Sequence, residues 1–163
     1  MLDTIINFLG QFPTWLATIL LAATPVGELR LAIPVAVYIW TINPLNAFGL
    51  AIIGNFLPFF PLYYGLNSLR RVTAKYLPSL TRLIDSSIDR AEGRVKEKYA
   101  RYGALALFLF TALPLPFTGL WTATLAAVAL KVPVRYALIG ELLGIIVAGI
   151  IVSSVSLSAD ILF

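Results

Sequence analysis

The chain has 163 residues, of which 60% are hydrophobic and only 12% are charged, whereas about 25% of the residues of a typical soluble domain are charged. This composition excludes an ordinary soluble protein and predicts one small integral membrane domain. Cysteine and histidine are absent, so zinc sites and hydrolytic triads of the usual kind are excluded, and we expect neither an enzyme nor a cofactor.

The N-terminal stretch MLDTIINFLGQFPTW has no lysine or arginine and carries Asp3. Because a secretory signal begins with positive charge, we interpret this stretch as an amphipathic segment that lies on the membrane surface.

Four apolar stretches follow, and a polar stretch, Asn67–Tyr102, separates the second from the third. Nine of the twelve basic residues lie in this polar stretch. The positive-inside rule therefore places it in the cytoplasm. Because membrane topology accounts for most of the positive charge, the net charge of +4 does not lead us to expect a nucleic-acid partner. The apolar stretches are Thr14–Trp40, Pro44–Leu66, Gly103–Leu130 and Pro133–Ser156.

Within the polar stretch, apolar residues recur at helical spacing from Leu80 to Tyr102. Ser79 is a candidate N-cap and Gly103 a candidate helix stop. The pattern predicts a cytoplasmic amphipathic helix, which is either a solvated connector or a regulatory, lipid-binding helix.

The second and fourth apolar stretches are long enough to cross a bilayer core of about 30 Å as helices. The first is broken by the sequence TPVGE at 24–28 and the third by PLPFTG at 114–119. Since proline and glycine interrupt helices, we predict two re-entrant helical hairpins with non-helical tips inside the protein.

The positions of the basic residues favour this topology over four simple crossings. If both hairpins return to the face from which they enter, Lys131 and Arg135 lie on the cytoplasmic side and Arg30 is the exception. Both termini then lie on the outer side of the membrane. We expect this membrane to be the inner or plasma membrane of a prokaryote.

The spacing of prolines indicates an internal repeat. Pro25 and Pro44 are 19 residues apart, as are Pro114 and Pro133. We therefore predict an all-α membrane fold made of inverted repeats, an arrangement common in secondary transporters. Repeat one spans 14–66, the connector 67–102 and repeat two 103–156.

Glu28 and Arg30 are charges within an apolar stretch, where each costs about 2.5–3.5 kcal/mol on insertion scales. In an unwound tip they can converge, or one can face the other hairpin. Glu28 would then exchange a proton or bind a cation, and Arg30 would bind an anionic group. The alternative is that the pair only neutralises itself and satisfies loose backbone.

The second tip is uncharged but polar. Its hydroxyls, indole N–H and flexible glycine either bind a ligand, aided by the positive end of the helix that follows, or only cap the break. The candidate residues are Pro114, Pro116, Thr118, Gly119, Trp121 and Thr122.

Two polar residues in the predicted crossings complete the candidate site. Glu141 is a second proton-relay carboxyl, a partner of Arg30, or a partner of Arg135 or Lys131 near the interface. Asn55 either satisfies carbonyls freed by nearby prolines or lines a path.

The sequences ELRLAIP (28–34), GN (54–55) and PLPFTGLW (114–121) followed by Thr122 resemble the small multidrug export protein family, over about residues 20–150. This family is similar in layout to the DedA (VTT) superfamily, whose members pair two re-entrant loops with membrane helices. The resemblance implies a transporter of lipid-linked phosphates or lipids, with Glu28, Arg30 and the 114–122 tip as its site.

Four functional hypotheses follow, of which an intramembrane enzyme is the last and the least favoured. The first is a proton- or ion-coupled transporter of an anionic lipid phosphate or similar amphiphile. The second is an exporter of cationic drugs, and the third is a non-transporting membrane scaffold or a lipid scramblase. The expected partners are membrane lipids, a coupling proton or cation, and a second copy of the chain in a homodimer.

Overall fold

The computed structural model describes residues 2–76, 102–113 and 118–162, and these ranges are helical without any strand. The all-α prediction is therefore confirmed for the described residues. The helices are α1 (Leu2–Leu9), α2 (Thr14–Ala23), α3 (Glu28–Pro34), α4 (Pro44–Phe56), α5 (Phe59–Tyr76), α6 (Tyr102–Ala112), α7 (Leu120–Ala129) and α8 (Val134–Leu162).

Two predictions for the polar stretch have different outcomes. The amphipathic helix that begins near Ser79 lies almost wholly outside the described residues. Gly103 was expected to end that helix, but this prediction is wrong because Gly103 lies inside α6. Its small size lets α6 approach the side chain of Val132, which a Cβ atom on Gly103 would meet at 3.0 Å.

Within the part of the chain that the structure describes, two helical segments, Pro44–Leu66 and Val134–Ser158, are long and apolar enough to cross a membrane. They coincide with the second and fourth apolar stretches of the sequence. Pro44 occupies the first turn of α4, and Asn43 caps that turn by accepting a hydrogen bond from the backbone N–H of Leu45 at 3.0 Å. The start of this segment is therefore encoded locally.

The first of these segments is interrupted at Leu57 and Pro58, where α4 gives way to α5. Proline has no N–H to continue the helical hydrogen bonds. The backbone N–H of Leu57 is shared between the carbonyls of Ile53 and Gly54, at 3.1 and 3.3 Å. Beyond this kink α5 continues to Tyr76, ten residues past the predicted end at Leu66.

The first and third apolar stretches are broken where the sequence predicted. Between α2 and α3, residues 24–27 leave the helix, and the Thr24 side chain organises the turn. Its Oγ1 donates to the carbonyl of Leu21 at 2.8 Å and accepts from the N–H of Gly27 at 2.9 Å. α6 and α7 are similarly separated, and Pro114 and Pro116 lie outside the described residues.

The helices that follow the two breaks end in similar ways. Lys131, with φ of 54°, terminates α7 in a Schellman motif, in which the N–H of Val132 donates to the carbonyl of Ala127 at 2.9 Å. In the first half a π-helical turn, Val35–Ile39, extends α3, and Thr41 adopts φ of 53° just beyond it.

The packing relates the two halves of the chain reciprocally. α3 packs against α4 of its own half and α8 of the other, whereas α7 packs against α8 of its own half and α5 of the other. Tyr63 fixes the second contact, because its hydroxyl is buried and donates to the carbonyl of Val132 at 2.7 Å.

Small residues allow these helices to approach closely. A Cβ atom on Gly54 would lie 2.8 Å from Cα of Ile19 and 2.9 Å from Cβ of Ala22, so α4 touches the backbone of α2. Gly140 and Gly144 of α8 similarly lie against α6, where Ala104 and Thr111 are the nearest neighbours.

We predict that Gly54→Ala lowers stability by about 1–3 kcal/mol, because the added methyl group has no space between α4 and α2. The matched control is Gly49→Ala on the same helix, where a Cβ atom meets nothing within 4 Å. Thermal unfolding of the purified variants in one detergent measures the difference. Equal melting temperatures for the two variants would contradict the tight contact.

Candidate functional site

A pocket of about 540 Å³ lies between the two helix breaks, and we call it the tip pocket. Its volume falls within the range of about 300–1,000 Å³ typical of small-molecule sites. Both breaks contribute polar and apolar side chains to it. The lining residues are Pro25, Val26, Gly27, Glu28, Arg30, Leu31, Thr118, Trp121 and Thr122.

Glu28 begins α3 in the left-handed backbone region, with φ of 41°. This conformation is uncommon for a residue other than glycine, asparagine or aspartate, and the surrounding structure must hold it. The side chain is largely buried, and its carboxylate lies directly against Gly119. A Cβ atom on Gly119 would collide with both carboxylate oxygens, so this contact requires glycine.

Gly119 is also the N-cap of α7, with φ of 147° and ψ of −172°. The N-terminus of a helix carries a partial positive charge and unpaired N–H groups, which stabilise an anion placed beside them. The Glu28 carboxylate therefore lies where α7 favours a negative charge. The acid contributed by the first break therefore lies beside the N-cap residue of the helix that follows the second.

Arg30 joins the two breaks. Its Nε lies 3.8 Å from Oε2 of Glu28. On the other side its Nη2 donates to the carbonyl and hydroxyl oxygens of Thr118, at 2.6 and 3.0 Å, and to the carbonyl of Leu113 at 3.2 Å. The sequence left open whether Glu28 and Arg30 converge or face the opposite hairpin, and Arg30 does both.

Leu113 immediately follows α6, so its carbonyl belongs to the negative end of a helix, which favours a cation. The hydroxyl of Thr118 donates to the same carbonyl at 2.7 Å while it accepts from Arg30. Arg30 and Thr118 together satisfy the backbone on the two sides of the second break.

One buried donor in the tip pocket is unused. The indole Nε1 of Trp121 is buried and has no hydrogen-bond partner among the described residues. The hydroxyl of the neighbouring Thr122 donates to the carbonyl of Gly119 at 3.3 Å. Trp121 therefore offers an N–H group to a ligand oxygen, and such buried donors are normally paired.

The structure brings together most of the candidate residues and separates two of them. Glu28, Arg30, Thr118, Trp121 and Thr122 line the tip pocket, and Gly119 contacts Glu28. Asn55 is buried on α4, and its Oδ1 has no partner among the described residues. Glu141 is buried on α8, where Thr124 of α7 donates to it at 2.7 Å.

Three contributors to these contacts had not been identified from the sequence. The carbonyl of Leu113 carries no signal in the sequence, because any residue supplies one. Thr124 resembles an ordinary core residue, and only its position opposite Glu141 distinguishes it. Leu31 lines the pocket as one of many leucines in an apolar stretch.

The long apolar helices and a pocket between two helix breaks that contains charged side chains are typical of a membrane transport protein. A family model described as "Putative small multi-drug export protein" matches residues 28–151. The chain belongs to this family of membrane-associated export proteins, which confirms the resemblance inferred from ELRLAIP and PLPFTGLW. No curated protein and no solved structure matches the chain.

We predict that Gly119→Ala costs on the order of 2–4 kcal/mol of stability, because it adds backbone strain and a clash with Glu28. In a Glu28→Ala background the clash disappears while the strain remains, so the cost of the same change should be smaller. Thermal unfolding of the single and double variants measures this coupling.

The control for this cycle is Gly65→Ala, since a Cβ atom on Gly65 has open space around it. Strictly additive effects of the changes at positions 28 and 119 would contradict the contact between Glu28 and Gly119.

Proposed function

We propose that this chain is a secondary transporter that moves an anionic lipid phosphate, or a similar amphiphile, across the membrane in a cycle coupled to protons. The observation that carries the proposal is the meeting of the two helix breaks, which places Arg30, the N-terminus of α7 and Glu28 around one pocket. A cation, a helix N-terminus and an exchangeable acid are the groups that proton-coupled anion binding needs.

The chemistry of the pocket suits an amphiphile with a phosphate headgroup. Arg30 would bind phosphate oxygens through charge-assisted hydrogen bonds, and the free indole N–H of Trp121 would donate one more. Val26 and Leu31 supply apolar surface for the adjoining part of the lipid.

Competition between two anions supplies a coupling mechanism. The Glu28 carboxylate occupies the N-terminus of α7, where a substrate phosphate would also be stabilised. A proton on Glu28 removes its negative charge, which frees this position and weakens its hold on Arg30. Substrate binding would then follow protonation of Glu28, and substrate release would follow its deprotonation.

We further propose that the two broken segments are re-entrant hairpins that enter from opposite faces, within an inverted repeat. The breaks, the equal proline spacing and the left-handed residues Thr41 and Lys131 support this arrangement. The reciprocal packing of α3 on α8 and of α7 on α5 is that expected of two halves related by an internal axis.

On the same grounds we propose that the chain is a single membrane domain with repeats at 14–66 and 103–156. We also propose that it is a multi-pass protein of the inner or plasma membrane of a prokaryote. A homodimer also stays a prediction. Within one chain, however, the two tips already cover one another, since Glu28 of the first lies against Gly119 of the second.

Export of cationic amphiphilic drugs is a second candidate function, favoured by the description of the family. In that case Glu28 is the counter-charge for the drug, and Arg30 is a structural clamp between the breaks. A non-transporting scaffold or a scramblase would use neither residue for coupling.

Substitution of Arg30 separates these functions. We predict that Arg30→Ala weakens binding of a short-chain lipid phosphate by about tenfold or more, because it removes charged hydrogen bonds. Binding to purified protein in nanodiscs measures this, and Arg135→Ala, which removes an exposed arginine outside the pocket, is the matched control. Unchanged phosphate binding together with undiminished export of a cationic dye would contradict the proposal in favour of drug export.

Substitution of Glu28 tests the coupling. Glu28→Gln keeps the size of the side chain and removes its exchangeable proton. We therefore expect phosphate binding to persist, whereas transport into liposomes should lose its dependence on the pH gradient. Full pH-dependent transport by this variant would exclude Glu28 from coupling.

Cysteine labelling tests the topology, because the chain has no native cysteine. With an impermeant maleimide, we predict that Ile42→Cys reacts from outside and Lys131→Cys from the cytoplasmic side. Ser68→Cys, on the exposed side of α5 at the start of the basic stretch, is the cytoplasmic reference. Labelling of position 131 from outside would refute the re-entrant hairpins.

A further inference from the structure

Glu141 lies in α8 outside the tip pocket, and it is completely buried. Thr124 of α7, also completely buried, donates its hydroxyl to Oε2 of Glu141 at 2.7 Å. The other oxygen, Oε1, is buried and has no hydrogen-bond partner among the described residues. A carboxyl group with one of its two oxygens unsatisfied in an apolar interior calls for a physical explanation.

No described cation neutralises this group. Of the helices packed against α8, α4 and α7 contain no titratable residue, and α6 contains only Tyr102, whose side chain is exposed. The π-helical turn that extends α3 contributes Tyr38, which donates to the carbonyl of Ser156, 15 residues beyond Glu141. α3 contributes Glu28 and Arg30, which are engaged with one another and with the second break. On α8 itself Arg135 is exposed to the surroundings, about 9 Å along the axis from Glu141.

A metal ion does not fit these surroundings. Hard cations bind several oxygen ligands, and no cluster of three or more potential ligand side chains exists among the described residues. The hydrogen of the Thr124 hydroxyl is already committed to Glu141. An isolated carboxylate in such an interior is costly, and binding a proton removes that cost without any further ligand.

We propose that Glu141 and Thr124 form a proton-binding site between α7 and α8, separate from the tip pocket. One proton, taken from water, binds to Oε1 and converts the carboxylate to a carboxylic acid, and its return to water reverses the step. Thr124 holds Oε2 in both states and so directs the proton to the oxygen that has no partner.

The site is connected to the tip pocket through α7. Thr124 follows Gly119 by five residues, which is about 7.5 Å along a helix. A change of charge at Glu141 therefore acts on the helix whose N-terminus contacts Glu28. This connection rests on the proposed transport function, whereas the proton-binding site itself does not.

Infrared spectroscopy of the purified protein tests the site without any transport assay. The carbonyl stretch of a carboxylic acid is separate from the bands of a carboxylate and of the backbone, and it moves when the exchangeable proton is replaced by deuterium. We expect such a band at neutral pH, its loss at alkaline pH, and its absence from Glu141→Gln. Glu28→Gln is the matched control and should retain this band.

Thr124→Val gives a second, nearly isosteric test that leaves the carboxyl group in place. Removal of the hydrogen bond to Oε2 should shift the band of Glu141 to higher frequency. If Glu141→Gln does not fold, as judged by its elution and helical content, this shift alone decides the assignment. A Thr124→Val spectrum identical to that of the parent overturns the proposal.

Two other results would also overturn it. The first is the absence of any carboxylic acid band that Glu141→Gln removes. A Glu141 band that persists at every pH would count equally against the proposal. The second is displacement of the proton by sodium at constant pH, which would make the site a cation site. If the infrared result holds while Glu141→Gln leaves the pH dependence of transport unchanged, only the connection to the tip pocket fails.

Discussion

Arg30 resolves the main physical problem of this fold, which is a break in each of two apolar helical segments. Each break exposes backbone carbonyls and N–H groups that lipid cannot satisfy. One guanidinium group, from the first break, donates to the carbonyls on both sides of the second, at Leu113 and Thr118. The two broken segments therefore stabilise one another.

The position of Glu28 follows from this arrangement. The acid balances the charge of Arg30 and occupies the N-terminus of α7, where Gly119 leaves room for it. The sequence alone left open whether these two charges only stabilise the break or also bind a substrate and a proton. The structure shows that these groups hold the two breaks together, and under the proposed function the same groups would bind an anionic substrate and a proton.

The helix α7 also contacts several of these regions. Its first turn lines the tip pocket through Trp121 and Thr122, and its middle contacts α8 through Thr124 and Glu141. Just beyond its end, the carbonyl of Val132 accepts a hydrogen bond from Tyr63 of α5. The helix is short and lined with small residues such as Ala123 and Ala127, which are fully buried. It is therefore the element through which changes of charge in the two buried regions would reach the rest of the chain.

The sequence by itself determined the class of protein, the two candidate spans and both breaks, because composition, apolar length and proline act locally. It also selected Glu28, Arg30 and Thr118, since charges and hydroxyls beside a helix break are rare in apolar segments. Only the tertiary structure decided which groups meet. The pairing of Arg30 with Leu113, of Glu28 with Gly119 and of Thr124 with Glu141 joins residues distant in the chain. Such contacts depend on how helices pack, which no local pattern specifies.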